Sequence, residues 1–237
     1  MKRAVVLLSG GLDSATTLYI AKKQGFECLC LIFDYGQRHK KEINAAKKVA
    51  KQASCSYRVE KIKLAWGGSA LLGRGKVIPR YHKHSLNKIP PTYVPARNII
   101  FLSFALSFAE AVGAKAVFIG AHAQDYSGYP DCRPQFLKAF RKMAALGTAS
   151  GVNKHGIRII APLINKNKAG IIKTGMKLGV PYQLTWSCYE GGSKPCGVCD
   201  SCYYRAKGFR DSGYRDAFQT NRGTLSKSKG RVSPLKR

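Results

Sequence analysis

Leu7-Leu8-Ser9-Gly10-Gly11-Leu12-Asp13-Ser14 is the stretch on which the reading of this chain turns. The apolar run at residues 4–8 predicts a buried strand, and the apolar spacing from Leu12 to about Gln24 predicts a helix. Adjacent glycines let the backbone turn sharply and bring successive amides close to a ligand. Those amides, with the N-terminus of the following helix, suit phosphate oxygens. The nucleotide-binding set read here is Leu8, Ser9, Gly10, Gly11, Leu12, Asp13 and Ser14. Ser9 and Ser14 add hydroxyl donors, and Asp13 could hold magnesium on the phosphates. A plain turn capped by Asp13 or Ser14 is the bland alternative, but Ser-Gly-Gly-x-Asp-Ser directly after a first buried strand favours nucleotide. The loop has neither the lysine of a Walker loop nor the spacing of the dinucleotide fingerprint.

Outward from this loop the pattern alternates. Residues 27–34 read as a second buried strand, 39–53 as an amphipathic helix and 57–64 as a third strand. Residues 96–112 predict a long helix with Ile99, Ile100, Leu102, Phe104, Leu106 and Phe108 on its apolar face. A strand at 116–119, a helix at 135–146, a strand at 157–160 and a helix at 168–178 follow. The expected fold class is therefore α/β: a parallel twisted sheet with helices on both faces. Residues 1–182 would form that body, 183–220 a metal-binding appendage and 221–237 a disordered basic tail. Residues 66–91 carry five Lys/Arg and no acid, and are expected to form a mobile loop near the site.

Composition narrows the class. No apolar run is long enough to span a membrane, and the first apolar stretch is too short for a signal peptide, so a cytoplasmic location is the expectation. The formal net charge is +29. Such a balance fits either a nucleic-acid partner or a basic background composition, and does not choose between them.

Half of the eight cysteines crowd together as Cys188, Cys196, Cys199 and Cys202. In a reducing compartment this reads as a metal site, not a disulfide framework. Four thiolates at this spacing suit one structural zinc. An iron–sulfur cluster is the competitor, although its usual pattern places the fourth cysteine after the Cys-x2-Cys-x2-Cys run. Four thiolates leave no open position for water, so a structural role is expected.

Three further segments carry chemistry. Phe33-Asp34-Tyr35-Gly36-Gln37-Arg38-His39 ends the second strand, where ligands of open parallel sheets bind; Phe33 could flank adenine and Arg38 could meet phosphate. Arg97 opens the long helix, where a cation is unfavourable unless an anion lies near. The run 124–134 gathers Asp125, Tyr126, Tyr129, Asp131 and Arg133, equipment for a flat polar heterocycle bearing a negative group. Cys132 is expected to be a buried thiol, and His82 and His84 a solvated loop pair.

Taken together, these motifs resemble the 7-cyano-7-deazaguanine synthase family of the N-type ATP pyrophosphatase superfamily. The resemblance runs over about residues 3–217. It is carried by residues 9–14, 33–39, 93–98, 125–134, 178–189 and 196–202. It implies an adenine nucleotide alpha hydrolase-like fold and an ATP-dependent ligase of queuosine biosynthesis. Such an enzyme turns 7-carboxy-7-deazaguanine and ammonia into the nitrile through an adenylated carboxylate and an amide. The catalytic set it implies is Asp13, Ser14 and Arg97, with zinc on the four cysteines, magnesium on ATP and a homodimer. Gln135 and Gly170 stand where the family has glutamate, and Asp216-Ala217-Phe218 replaces Asp-Pro-Thr. A tRNA-modifying pyrophosphatase would be favoured by the charge but not by the 125–134 loop; against an inactive nucleic-acid-binding module stands the intact phosphate loop.

Overall fold

The computed structural model describes residues 1–64, 66–72, 77–81, 89–122 and 128–218. Five strands form one sheet: β1 (Lys2–Leu7), β2 (Phe26–Asp34), β3 (Ser56–Lys61), β4 (Ala116–Phe118) and β5 (Arg158–Ile160). Their order is β3-β2-β1-β4-β5, and every pairing is parallel. The helices are α1 (Leu12–Lys23), α2 (Lys41–Gln52), α3 (Arg97–Ala111), α4 (Pro134–Gly147), α5 (Ala149–Val152), α6 (Lys168–Lys177) and α7 (Asp200–Ser212). The expected α/β architecture is therefore present.

Period-2 alternation in the strands divides the core into two layers. Ala4, Val6, Leu8, Cys28, Cys30 and Ile32 pack on α1, α2 and α6 through Leu18, Val49 and Ile171. Val5, Leu7, Leu31 and Phe33 face the other way and meet α3 and α4 through Leu102, Leu106, Leu137 and Phe140. With both faces covered, the strands read as continuous apolar runs, as buried parallel strands do. Strand order reverses on either side of β1, so the crevice beyond the carboxyl ends of β1 and β4 is where this topology places a ligand.

The apolar face expected of α3 is only partly used. Leu102, Ala105, Leu106 and Ala109 are buried at i, i+3, i+4 and i+7, whereas Ile99 and Phe104 remain 43% and 44% exposed. One stripe of the helix suffices to cover the sheet, and Phe104 lies two residues from Leu102, on another side of the helix. The C-terminal segment is stitched to the body, among other contacts, by α7 and by the residues before it. Phe209 of α7 joins the core layer of α1 and α6, and the Trp186 amide donates to the Gly10 carbonyl at 2.9 Å.

Gly170 sits three residues past Asn167, the N-cap of α6, whose side chain accepts from the Gly170 amide. A glutamate here would complete a capping box and replace the poorest non-proline helix former in a first turn. Gly170→Glu should stabilise the chain by about 1 kcal/mol, read as a higher denaturation midpoint at unchanged slope. An unchanged or lower midpoint would contradict this account of α6.

Candidate functional site

The loop after β1 is held open by its own hydroxyls. Ser9 Oγ and Ser14 Oγ lie 3.0 Å apart, the Ser9 amide donates to Ser14 Oγ at 3.2 Å, and Ser14 Oγ donates to the Gly11 carbonyl at 3.1 Å. Gly10 has φ +84°, and a Cβ there would stand 2.1 Å from the Glu42 carbonyl oxygen. Only glycine allows the first turn of α2 to close on the loop this tightly. Among the described residues no side chain caps the N-terminus of α1. Its first-turn amides are thus left for a ligand.

Asp13 does not stand alone. Lys168 Nζ, from the first residue of α6, donates to both of its carboxylate oxygens, at 2.9 and 2.8 Å. His122 Nε2 is 2.9 Å from the same ammonium and 3.4 Å from Asp13 Oδ2. Burial opposes ionisation of Asp13, but Lys168 and His122 outweigh it and hold the carboxyl well below its usual range. Two glycines make this meeting possible. A Cβ on Gly120 would lie 3.2 Å from the Asp13 backbone, and one on Gly208 would strike the Lys168 stem at 2.4 Å. Sequence reasoning missed both Lys168 and His122. Lys168 carried the signal used for Arg97, a cation in a helix's first turn, but it was not applied there.

The loop opens into a cleft of about 760 Å³ whose lining includes Ser9, Asp13, Phe33, Arg38, Arg97, Tyr129, Lys168 and Trp186. Leu8, Gly11, Leu12 and Ser14 line it as well. Phe33 is 7% exposed, and one ring face is stacked on Phe101 with centroids 4.0 Å apart, so only its remaining surface can meet a ligand. Arg38 Nη2 lies 3.8 Å from Glu190. Arg97 Nη1 donates to Tyr35 Oη at 3.2 Å, and its guanidinium lies over the Tyr35 and Phe101 rings. Burial pushes the Tyr35 hydroxyl up to about 12, so it stays a neutral donor and acceptor.

The 124–134 run divides. Asp125 and Tyr126 lie outside the described residues. Tyr129 lines the cleft, with its hydroxyl 2.8 Å from Thr92 Oγ1. Asp131 is 5% exposed, and its Oδ2 accepts the Asn98 amide at 3.0 Å, satisfying an orphan donor of α3. Arg133 is exposed at the start of α4 and does not line the cleft. Cys132 is buried as expected, its sulfur accepting from Asn98 Nδ2 at 3.1 Å. The described parts of the 66–91 segment come to the cleft through Leu71, Pro79, Arg80, Tyr81, Pro90 and Pro91. They are anchored there by bridges from Leu72 to Gln37 and from Arg80 to Cys199. His82 and His84 fall outside the described residues.

Beside the cleft, the ligand sulfurs of Cys188, Cys196, Cys199 and Cys202 all lie within 4.8 Å of one another. Three of these cysteines are buried, and all four thiols are free. Hydrogen bonds from Cys199 and Cys202 favour a thiolate at Cys188, which in turn pushes the Cys202 thiol far up. A cation at the centre relieves that conflict. Cys199 is the N-cap of α7, so the cluster fixes the start of the helix whose Gly208 accommodates Lys168.

A family model described as "Queuosine biosynthesis protein QueC" matches residues 3–213. The chain belongs to this family. A relative in Acetivibrio thermocellus, named 7-cyano-7-deazaguanine synthase, is 54% identical over 220 residues, covering 92% of this chain and 98% of the relative. One of the same name in Clostridium kluyveri is 52% identical over 219 residues, covering 91% and 96%. Among solved structures, an NMN synthetase from Francisella tularensis superposes with a TM-score of 0.50 at 16% identity. That match covers 91% of this chain and 79% of the synthetase, and shows a shared fold alone.

Gln135 is exposed, and Gly170 is in the first turn of α6. Asp216 keeps its place as the buried partner of Arg205, at 2.6 and 2.9 Å. Phe218 lies near the same guanidinium, 5.0 Å from its ring centroid. Arg205 also donates to Thr185 Oγ1 and to the Tyr182 carbonyl, tying α7 to the segment that carries Trp186. Among the described residues no helix is long and apolar enough to cross a membrane.

Proposed function

We propose that the chain is an ATP-dependent carbon–nitrogen ligase that converts 7-carboxy-7-deazaguanine and ammonia into 7-cyano-7-deazaguanine. The observation that carries this reading is the match, over nine-tenths of the chain, to half-identical relatives named for that product. A carboxylate does not react with ammonia until one oxygen becomes a leaving group. Adenylation supplies it, and pyrophosphate departs into the loop of Ser9, Gly10, Gly11, Asp13 and Ser14, where amides are already aimed. Lys168 stands at that loop as a fixed cation. Arg97 neutralises the substrate carboxylate, Arg38 meets phosphate, and Tyr129 packs on the heterocycle, with Asp125 and Tyr126 assigned to it as well. Asp131 shapes this wall through α3, and Arg133 stands at its outer edge. The amide formed first is adenylated in its turn, and loss of its oxygen gives the nitrile. No protein nucleophile is required, so catalysis is positioning and electrostatics.

Among the described residues no group of three hard ligands stands ready for magnesium. Both Asp13 oxygens accept from Lys168, and the four-cysteine cluster is the one group of three or more ligating side chains among the described residues. Magnesium would therefore be brought on ATP itself. The soft, closed donor set of the cysteines does fit zinc, which would fix the start of α7. About one zinc per chain is expected, and Cys199→Ser should lower the melting temperature by several degrees. A brown protein carrying iron and acid-labile sulfide would contradict that metal. The same reading takes the chain as a cytoplasmic homodimer; the net charge of +29 admits a nucleic-acid partner, but the 125–134 run favours a free heterocycle.

Isotope transfer tests the ligase reading. With both carboxylate oxygens labelled as ¹⁸O, each AMP released should carry one label, since both oxygens leave with AMP. Unlabelled AMP would mean that ATP is hydrolysed without activating the carboxylate.

A further inference from the structure

Nitrogen enters this reaction as ammonium, with four hydrogens, and leaves in a nitrile with none. A reaction that removes four protons from one atom needs a proton acceptor beside it. Among the described residues the cleft is lined by three carboxylates, Asp13, Glu42 and Asp200. Asp13 is occupied by Lys168 and His122. Asp200 adjoins the cysteine cluster at the first turn of α7. Glu42 differs from both.

Glu42 belongs to the first turn of α2, the turn that closes on Gly10, so its backbone is fixed against the phosphate loop. Its carboxylate is hydrogen-bonded by Gln37. Gln37 is itself locked, its Oε1 accepting the Tyr35 amide at 2.8 Å and its Nε2 donating to the Phe33 carbonyl at 3.1 Å. The second hydrogen of that Nε2 is the one left for the carboxylate. The charged and titratable groups that face Glu42 are Arg97 from α3 and Tyr35 after β2; Ser9 and Gly10 bring none. Burial pushes the Glu42 carboxyl up to about 7, with Arg97 and Gln37 opposing. A group titrating there takes and releases protons near neutrality.

Resting on the ligase reading above, we propose that Glu42 is the general base of the carbon–nitrogen chemistry. Its carboxylate takes one proton from ammonium, and the freed lone pair forms the C–N bond to the acyl carbon. The C–O bond to AMP breaks, and a second proton leaves nitrogen to give the amide. After the amide oxygen has taken an adenylyl group from the second ATP, Glu42 accepts the third and fourth protons in turn. The C–O bond then breaks as the triple bond forms, and AMP leaves. Between steps each proton passes to water.

The test uses the full chain with Glu42→Gln and Glu42→Asp. Glu42→Gln should form the acyl adenylate normally, seen as carboxylate-dependent pyrophosphate exchange without ammonium. Its amide and nitrile formation should fall about 10²-fold or more, with loss of the limb near pH 7 that the native enzyme shows. Hydroxylamine, neutral at pH 7.5, should still trap the adenylate as hydroxamate at the native rate. Glu42→Asp should keep the limb at a reduced rate. Folding is checked by melting. A carboxyl with a raised folded pKa weakens the fold as pH climbs from its unfolded value through about 7. At pH 8 Glu42→Gln should therefore melt at or above the native chain. Loss of pyrophosphate exchange or hydroxylamine trapping in Glu42→Gln, or a retained pH limb, would overturn the proposal. Failure of the native chain to activate the carboxylate would instead remove the ligase reading beneath it.

Discussion

Lys168→Ala should give a folded chain whose ATP-dependent turnover is lower by about 10²- to 10³-fold, the scale seen when one preorganised charge is removed from a site of developing charge. Lys168 Nζ touches both oxygens of Asp13, and its stem runs over Gly208 with no room for a Cβ. The ammonium is therefore aimed, not merely nearby. Without it, Asp13 loses the partner that does most to offset its burial, and the loop carries an uncompensated acid toward incoming phosphates. Arginine should not rescue, because a planar guanidinium is wider than the ammonium that sits between both Asp13 oxygens and His122 Nε2. The Asp13 side chain is 27% exposed, so water can solvate it in the variant and the fold should survive. Steady-state AMP release together with a melting curve decides the matter. Turnover within a few-fold of native would remove Lys168 from the phosphate site.

Among the described glycines Gly10 alone combines a left-handed φ with a clash against backbone, and Gly10→Ala should be severely damaging. Two costs combine at this position. A left-handed φ of +84° is unfavourable for any residue with a Cβ, and the new carbon would overlap the Glu42 carbonyl oxygen at 2.1 Å and the Ala46 amide nitrogen at 2.7 Å. Both of those are backbone atoms, so no side chain can swing aside. Together the terms amount to about 2–5 kcal/mol. Relief requires α2 to retreat from the loop, which displaces Glu42 and the Trp186 contact and should abolish measurable turnover. Gly36→Ala is the control. It has the same φ of +84° but nothing within 4 Å of the added carbon, and should cost only the backbone term, about 1–2 kcal/mol. Equal losses in the two variants would mean that the close approach of α2 contributes nothing.

Much of this was legible in the sequence because it is local. The phosphate loop, the strand-to-helix alternation and the four cysteines are each written within about fifteen consecutive residues, where periodicity and spacing report directly. What the sequence hid depends on convergence. Lys168 reaches Asp13 from 155 positions away, and His122 completes the group from the end of β4. Glu42 is an acid in the first turn of an amphipathic helix, and only the approach of that turn to Gly10 brings it to the cleft. Composition alone also cannot say which stripe of an apolar helix is covered, hence the exposed Ile99 and Phe104 of α3. The polar run around Asp131 reads as ligand-binding in sequence, but the Asp131 carboxylate accepts an orphan amide of α3.

On the proposed reading one cleft adenylates first a free heterocyclic carboxylate and then the amide made from it. The direct measurement is to incubate the purified chain with ATP, magnesium, an ammonium salt and 7-carboxy-7-deazaguanine, and to follow product masses and AMP together. The account predicts an amide that rises and falls, a nitrile that accumulates, and two AMP for each nitrile. Conversion of added tRNA, with the free carboxylate left unchanged, would contradict it and make the charge of +29 the better guide.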